Sequence, residues 1–149
     1  MPVSAILFDT NVLLSATAPA REFHALALKA LNDWPNEGVG ICTSGQVLRE
    51  YLAVATRAVE VNGLGLSVAD ALANRDALET RMRFLEETHG VSIRLRELVR
   101  SSACVGKHVH DANVVATALA HGVERILTAN VDDFLRFRDF IDVVPLGDV

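Results

Sequence analysis

No apolar run in this chain approaches the roughly 18 residues a membrane-spanning helix needs. The N-terminus lacks a basic segment followed by a long apolar core, so no signal peptide is expected. Cysteine is scarce. Cys42 and Cys104 stand in unrelated contexts without metal-like spacing, the pattern of packing thiols in a reduced, cytoplasmic protein. No G-x-G-x-x-G follows the first apolar segment, which argues against a dinucleotide-binding domain. Positive charge is short as well: 14 lysines and arginines face 19 aspartates and glutamates, for a formal net charge of −5. That disfavours a protein that coats nucleic acid by bulk electrostatics. It does not exclude a nucleic-acid enzyme, because carboxylates gathered in one site repel phosphate only until metal ions reverse the local sign. Repeats, low-complexity tracts and linkers are absent, so residues 1–149 read as one domain.

What is present is an alternation of short apolar runs and helical periods. Half the residues are hydrophobic (50%) and 22% are charged, the balance of a globular chain with a real core. Residues 4–8 predict a buried strand. Phe23, Leu26, Ala27, Ala30, Leu31 and Trp34 recur at helical spacing, from near Pro19 to a stop at Pro35 and Gly38. Residues 39–42 predict a second strand. Thr43 and Gln46 stand at the positions of a capping box and open a helix that carries Glu50. Residues 62–67 form a loop, and Ser67 and Asp70 cap a long helix reaching about Thr88, stopped by His89 and Gly90. Residues 91–95 predict a strand, "RELVRSSA" a short helix and "CVGKHVH" a loop. Asp111 opens a helix of small residues closed by Gly122. A strand at 125–128, a turn or short helix in "VDDFLRF" and a last strand in "FIDVVPL" complete the chain. Strands alternating with helices predict an α/β fold with a mostly parallel central sheet.

In such sheets sites form outside the carboxyl ends of the strands. The first strand ends on Asp9, followed by Thr10 and Asn11. These three residue types also cap helices, so the stretch reads either as a strand end and a cap or as one corner of an acidic site. Asp111 has two readings too: a first-turn carboxylate favoured by the helix dipole, or an acid at the mouth of a buried helix. Glu50 beside Arg49 reads as an ordinary surface pair or as a carboxylate reaching the rim of the sheet. Thr128, Asn130, Asp132 and Asp133 follow the strand "RIL". Carboxylates brought together repel one another unless protons or cations compensate, and hard ions such as Mg²⁺ or Mn²⁺ prefer such oxygen ligands.

The segments "FDTNVLL", "SGQVLREYL", "HDANVVATALAHG" and "ILTANVDDF" resemble, in their order and spacing, the PIN-domain ribonucleases. Among those they most resemble the VapC-type toxins of toxin–antitoxin pairs, over residues 4 to about 145. The resemblance implies a three-layer α/β/α fold and hydrolysis of RNA phosphodiesters, tRNA or other structured RNA included, assisted by Mg²⁺ or Mn²⁺. It makes Asp9, Glu50 and Asp111 the acidic ligands, Asn11 a polar residue that orients Asp9, and Thr128 a hydrogen-bonding neighbour. It also implies a cognate antitoxin as partner and a homodimer. Many family members carry a fourth Asp where this chain has Asn130, an uncharged oxygen ligand. Asn130, then Asp132, then Asp133 are the expected order of choice for completing the site, with one tight ion and a weaker one.

An acidic nuclease also needs cations near the scissile phosphate. Arg49, Lys107, His108 and His110 are the nearest in sequence, with His108 and His110 read as loop histidines rather than zinc ligands. Arg94, Arg96 and Arg100 form a second cluster, and Trp34 is an exposed contact for a partner or a core residue. A phosphoryl-transferring hydrolase with D-x-D is disfavoured because its third position is Asn11, and a receiver domain because its acidic pair and later Lys are missing. The remaining rival is a PIN-like module that binds RNA or protein without efficient cutting.

Overall fold

A computed structural model describes residues 4–149; the first three residues of the predicted domain lie outside the described residues. The sheet has five strands in the order β3-β2-β1-β4-β5, and every neighbouring pair is parallel. The strands are β1 (Ser4–Phe8), β2 (Val39–Ser44), β3 (Arg83–Leu85), β4 (Arg125–Thr128) and β5 (Asp142–Pro145). β1 is the centre, with Ile6 opposite Ile41 on one side and Leu7 opposite Ile126 on the other. Ile6, Leu7 and Phe8 are fully buried, as expected of a parallel strand covered on both faces.

The helices are α1 (Thr10–Thr17), α2 (His24–Asp33), α3 (Gly45–Ala55), α4 (Val68–Thr80), α5 (His89–Ser101), α6 (His108–Ala120) and the short α7 (Val131–Phe134). The chain moves from β1 through β2 to β3 in one direction, then crosses back over the sheet to β4. Right-handed crossovers place the two sets of helices on opposite faces. The contacts sort the same way: α1 packs on α2 and α3, and α3 on α4, while α5 packs on α6 and α6 on α7. This is the predicted three-layer architecture. Among the described residues no helix is long and apolar enough to cross a membrane.

Residues 81–101 depart from the sequence reading. α4 ends at Thr80, a strand follows at 83–85, and His89 begins a helix instead of ending one. The apolar residues read as a strand at 91–95 lie on α5, where Val91 and Leu98 are buried on one stripe with Leu95 packed against the core. His108 and His110, read as loop residues, lie in the first turn of α6. The cap of α3 is Ser44, whose hydroxyl accepts from the Val47 N–H at 3.3 Å. Thr43 stays in β2, and its buried hydroxyl has no hydrogen-bond partner among the described residues. Trp34 is half-buried, edge-on to Phe8 with ring centroids 5.8 Å apart, and so belongs to the core. Both cysteines are free and buried.

Three of these elements aim the site. α1 starts directly at the end of β1, with Asp9 as its cap. α3 is held by Val47, Leu48, Tyr51 and Ala55, all buried, which leaves Gln46 and Glu50 on the flank towards α1. α6 is closely packed because Ala112, Ala116 and Ala118 are small and fully buried. Gly122 just beyond it takes φ +74°, the left-handed conformation that lets the chain turn into β4.

Candidate functional site

Asp9 caps a helix and also anchors a network of side chains. Its carboxylate caps α1, Oδ1 accepting from the Thr10 N–H at 2.8 Å. Its other oxygen, Oδ2, accepts from Asn11 Nδ2 at 2.9 Å and from the Thr128 hydroxyl at 2.9 Å. Thr128 is saturated, because its oxygen also accepts from Asn11 Nδ2 at 3.2 Å and from the Asn130 N–H at 3.0 Å. Asn11 is fixed at its other end, where Oδ1 accepts from the Ala129 N–H at 2.9 Å. The end of β1 and the end of β4 are thus stitched together by side chains around one carboxylate.

Thr10 extends the network. Its hydroxyl donates to Glu50 Oε2 at 3.1 Å, so Glu50 of α3 does reach the rim of the sheet. The second Glu50 oxygen accepts from Gln46 Nε2 at 3.0 Å. Gln46, itself buried, also donates to the His110 carbonyl at 2.9 Å and accepts from Asn113 Nδ2 at 2.7 Å. Asn113 donates in turn to Glu87 at 3.2 Å. Every polar atom of Gln46 is used, which locks its rotamer and with it the position of Glu50.

Asp9 is only 8% exposed and has no cationic partner among the described residues, so its charge is costly. Burial pushes its pKa up to about 6; Thr128 and the Thr10 N–H oppose the shift, and the charges of Glu50 and Asp111 add to it. Asp111, on the first turn of α6, is half-buried, and burial followed by the charge of Asp133 raises its pKa. His108 Nδ1 lies 3.4 Å from Asp111 Oδ2, a loose contact, and Lys107 also favours the ionised acid. Glu50 and Asp111 therefore both lie near enough for their charges to act on Asp9, at the carboxyl end of the sheet.

The other sequence candidates divide. Asn130 lines two adjoining hollows beside the network, one of them shared with Asp132 and Asp133. Of those two acids, Asp133 is the one whose charge acts on Asp111, while Asp132 is exposed. His110 joins the network through its backbone carbonyl, and Arg49 is exposed on α3 next to Glu50. Arg94 is engaged locally with Glu97 at 3.6 Å. Thr10, Asn113 and the Glu50-holding role of Gln46 were not anticipated. The i,i+4 spacing of Gln46 and Glu50, and a single amide between Ala112 and Val114, were the available signals.

The donor set suits a hard, oxygen-seeking divalent cation. Asp9 Oδ1 and both Glu50 oxygens each carry one hydrogen bond and keep a lone pair, and Asp111 Oδ1 has none recorded. Among the described residues, no three side chains of ligand type are gathered tightly enough to enclose an ion by themselves. The fit is to an ion that keeps much of its water shell and takes one or two carboxylates, the habit of Mg²⁺.

A family model described as PIN domain matches residues 6–139. No curated protein matches the chain significantly. Among solved structures, the chain is similar to VapBC-1 of nontypeable Haemophilus influenzae, with 16% identity, a TM-score of 0.69, and 96% of this chain and 98% of that one covered. A toxin–antitoxin complex from Klebsiella pneumoniae has 23% identity and a TM-score of 0.65, over 95% of this chain and 97% of the other. VapC20 of Mycobacterium tuberculosis, described as a sarcin–ricin loop cleaving toxin, has 21% identity and a TM-score of 0.64, over 94% and 99%. At these identities the likeness is one of fold.

Proposed function

The chain belongs to the PIN domain family, and from that premise we propose that it is a divalent-metal-dependent endoribonuclease, the toxin of a toxin–antitoxin pair acting in the cytoplasm. The observation that carries the reading is the buried Asp9 carboxylate, without a cationic partner among the described residues, tied through Thr10 to Glu50 and in electrostatic reach of Asp111. Solved relatives of the same fold that are toxins held with antitoxins support the partner, with a homodimer as the expected assembly.

In this reading Asp9, Glu50 and Asp111 would surround a hydrated Mg²⁺ or Mn²⁺, one or two of them as direct ligands and the rest through its water shell, with Asn130 as an uncharged oxygen ligand and Asp132 or Asp133 supplying further negative charge. The ion, when bound, supplies Lewis-acid activation of water and charge stabilisation for an in-line phosphodiester displacement. Asn11 and Thr128 hold Asp9 by Oδ2, which leaves Oδ1 with only the Thr10 N–H as partner among the described residues. Gln46 holds Glu50 by Oε1. Lys107, His108, His110 and Arg49 are the cations set around the acidic centre to receive phosphate, and Lys107 with His108 sits closest to Asp111.

The first test is cleavage of a mixed pool of tRNA and structured RNA by the purified, antitoxin-free protein. Cutting is expected in Mg²⁺ or Mn²⁺ and absent in EDTA. Equal cutting in EDTA would overturn the metal assignment, and no cutting in any arm would favour the module that binds RNA or protein without efficient cutting. A second expectation concerns Gln46. Gln46→Leu keeps the volume but leaves Glu50 Oε1 and the His110 carbonyl without a donor. Mn²⁺ binding, followed by calorimetry, should weaken about 10–100-fold, as when other orienting partners of ligands are lost. An unchanged Mn²⁺ affinity in a folded variant would remove Gln46 from the site.

A further inference from the structure

Beside the Asp9 network lies a hollow of about 300 Å³. Asn11 and Asn130 line it together with Arg21, Phe23 and Asn62. Arg21 has no carboxylate partner among the described ion pairs. Its Nη2 donates to the Asn62 carbonyl at 3.1 Å, which leaves the rest of its donor fork unspent.

The anchor is rigid. Asn62 sits in the left-handed region at φ +63°, and Gly63 follows at a position where a Cβ would fall 2.0 Å from the Arg57 carbonyl oxygen. The Gly63 and Gly65 N–H groups close the turn onto Ala58 and Arg57 at 3.0 and 2.8 Å. The loop thus presents the Asn62 carbonyl at a fixed point, and Arg21 is held against it. Phe23, half-buried and packed on the core, adds an aromatic ring to the same wall, and exposed Glu22 adds an acceptor suited to base N–H groups but not to phosphate.

Resting on the nuclease reading above, we propose that this hollow seats the nucleotide adjoining the scissile phosphate, with Arg21 holding its phosphate and Phe23 stacking its base. A strand laid across an acidic centre needs cations for its phosphates. Lys107 and His108 act near Asp111, and Arg21 lines the hollow together with Asn11. Arg suits phosphate because its planar fork binds two oxygens at once, and aromatic stacking holds an unpaired base with little regard to its identity. The substrate class is therefore RNA with an unstacked, single-stranded nucleotide at the cut.

The test uses fluorescence anisotropy with a labelled, mixed-sequence single-stranded RNA in Mg²⁺, on an Asp9→Asn background so that no RNA is cut. Arg21→Ala should weaken binding roughly tenfold, the worth of one charge-assisted contact. The slope of log K against log salt should fall by about 0.7, one phosphate contact to a single strand. Arg21→Gln separates two roles, since it keeps a donor for the Asn62 carbonyl but loses the charge. It should behave as Arg21→Ala, while Arg21→Lys recovers most of the binding and the slope. In the otherwise native protein the same variants should raise KM more than they lower kcat. Wild-type affinity and slope in Arg21→Gln would overturn the proposal, whether or not Arg21→Ala is impaired. A native protein that binds RNA through Arg21 yet cuts nothing would sink the nuclease reading and leave the hollow standing.

Discussion

Asp9→Asn, Glu50→Gln and Asp111→Asn should each reduce kcat/KM for RNA cleavage by more than the about 100-fold at the upper end of losing an orienting partner. RNA binding should stay within about tenfold of wild type, since each change removes a negative charge near phosphate. Each substitution keeps the size of the side chain and removes one formal charge from a site that, with Asn130 in place of a fourth acid, has few to spare. A hard divalent ion is held mainly by that charge. Circular dichroism and a thermal melt of each variant separate loss of the site from loss of the fold. Cleavage at near wild-type rate in the folded Asp9→Asn protein would contradict the assignment most directly, because Asp9 is the member tied to both strand ends and to α3. Intact cutting after Asp111→Asn alone would confine the ion to the Asp9–Glu50 side.

The second large effect is on stability, and its sign runs against the usual behaviour of carboxylates. Unfolded, Asp9 has its ordinary pKa of 3.8; folded, about 6. Between those values the folded, metal-free protein keeps a proton that the unfolded chain has released. Stability contributed at Asp9 is thus fully present below about pH 4, is lost as pH rises to about 6, and stays lost above. A shift of roughly two pH units corresponds to about 3 kcal/mol. Measured by urea denaturation in EDTA, Asp9→Asn should gain on wild type by that amount between pH 4 and pH 7, because the amide does not titrate. Added Mn²⁺ at pH 7 should raise the midpoint of wild type and leave the variant nearly unmoved. A stability difference independent of pH would mean that Asp9 is ionised at its ordinary pKa in the folded protein.

Much of this arrangement could be read from the residues. β1, β2, β4 and β5, the buried small-residue helix behind Asp111 and the rim position of Asp9 follow from continuous apolar runs and from Ala and Val spacing. The region 81–101 could not be read in the same way. β3 is three residues long, and Arg83 and Phe84 are exposed at the sheet edge, so only Leu85 gives a burial signal. The alternation of Val91, Ile93 and Leu95 with polar Ser92 and Arg94 suggested a strand, yet the stripe of Val91, Leu95 and Leu98 has helical spacing and packs as a helix. Misplacing that segment hid Glu87, and with it the far end of the Gln46–Asn113 chain. The cap of α3 slipped by one residue because Thr43 and Ser44 are both good caps and only the length of β2 decides between them. Gln46 was visible as a polar residue at a helix start, but its partners come from α6, a long-range fact that no local pattern encodes.

The stitching of β1 to β4 has a consequence for biosynthesis. Asp9 leaves the ribosome well before the hydroxyl that holds its Oδ2, which belongs to Thr128, 119 residues later. Until β4 is made, the Thr10–Glu50 and Gln46–His110 bonds are available, but Asp9 Oδ2 lacks the hydroxyl that fixes it. An interrupted translation product, or a fragment clipped before residue 128, lacks that hydroxyl and with it the completed acidic centre.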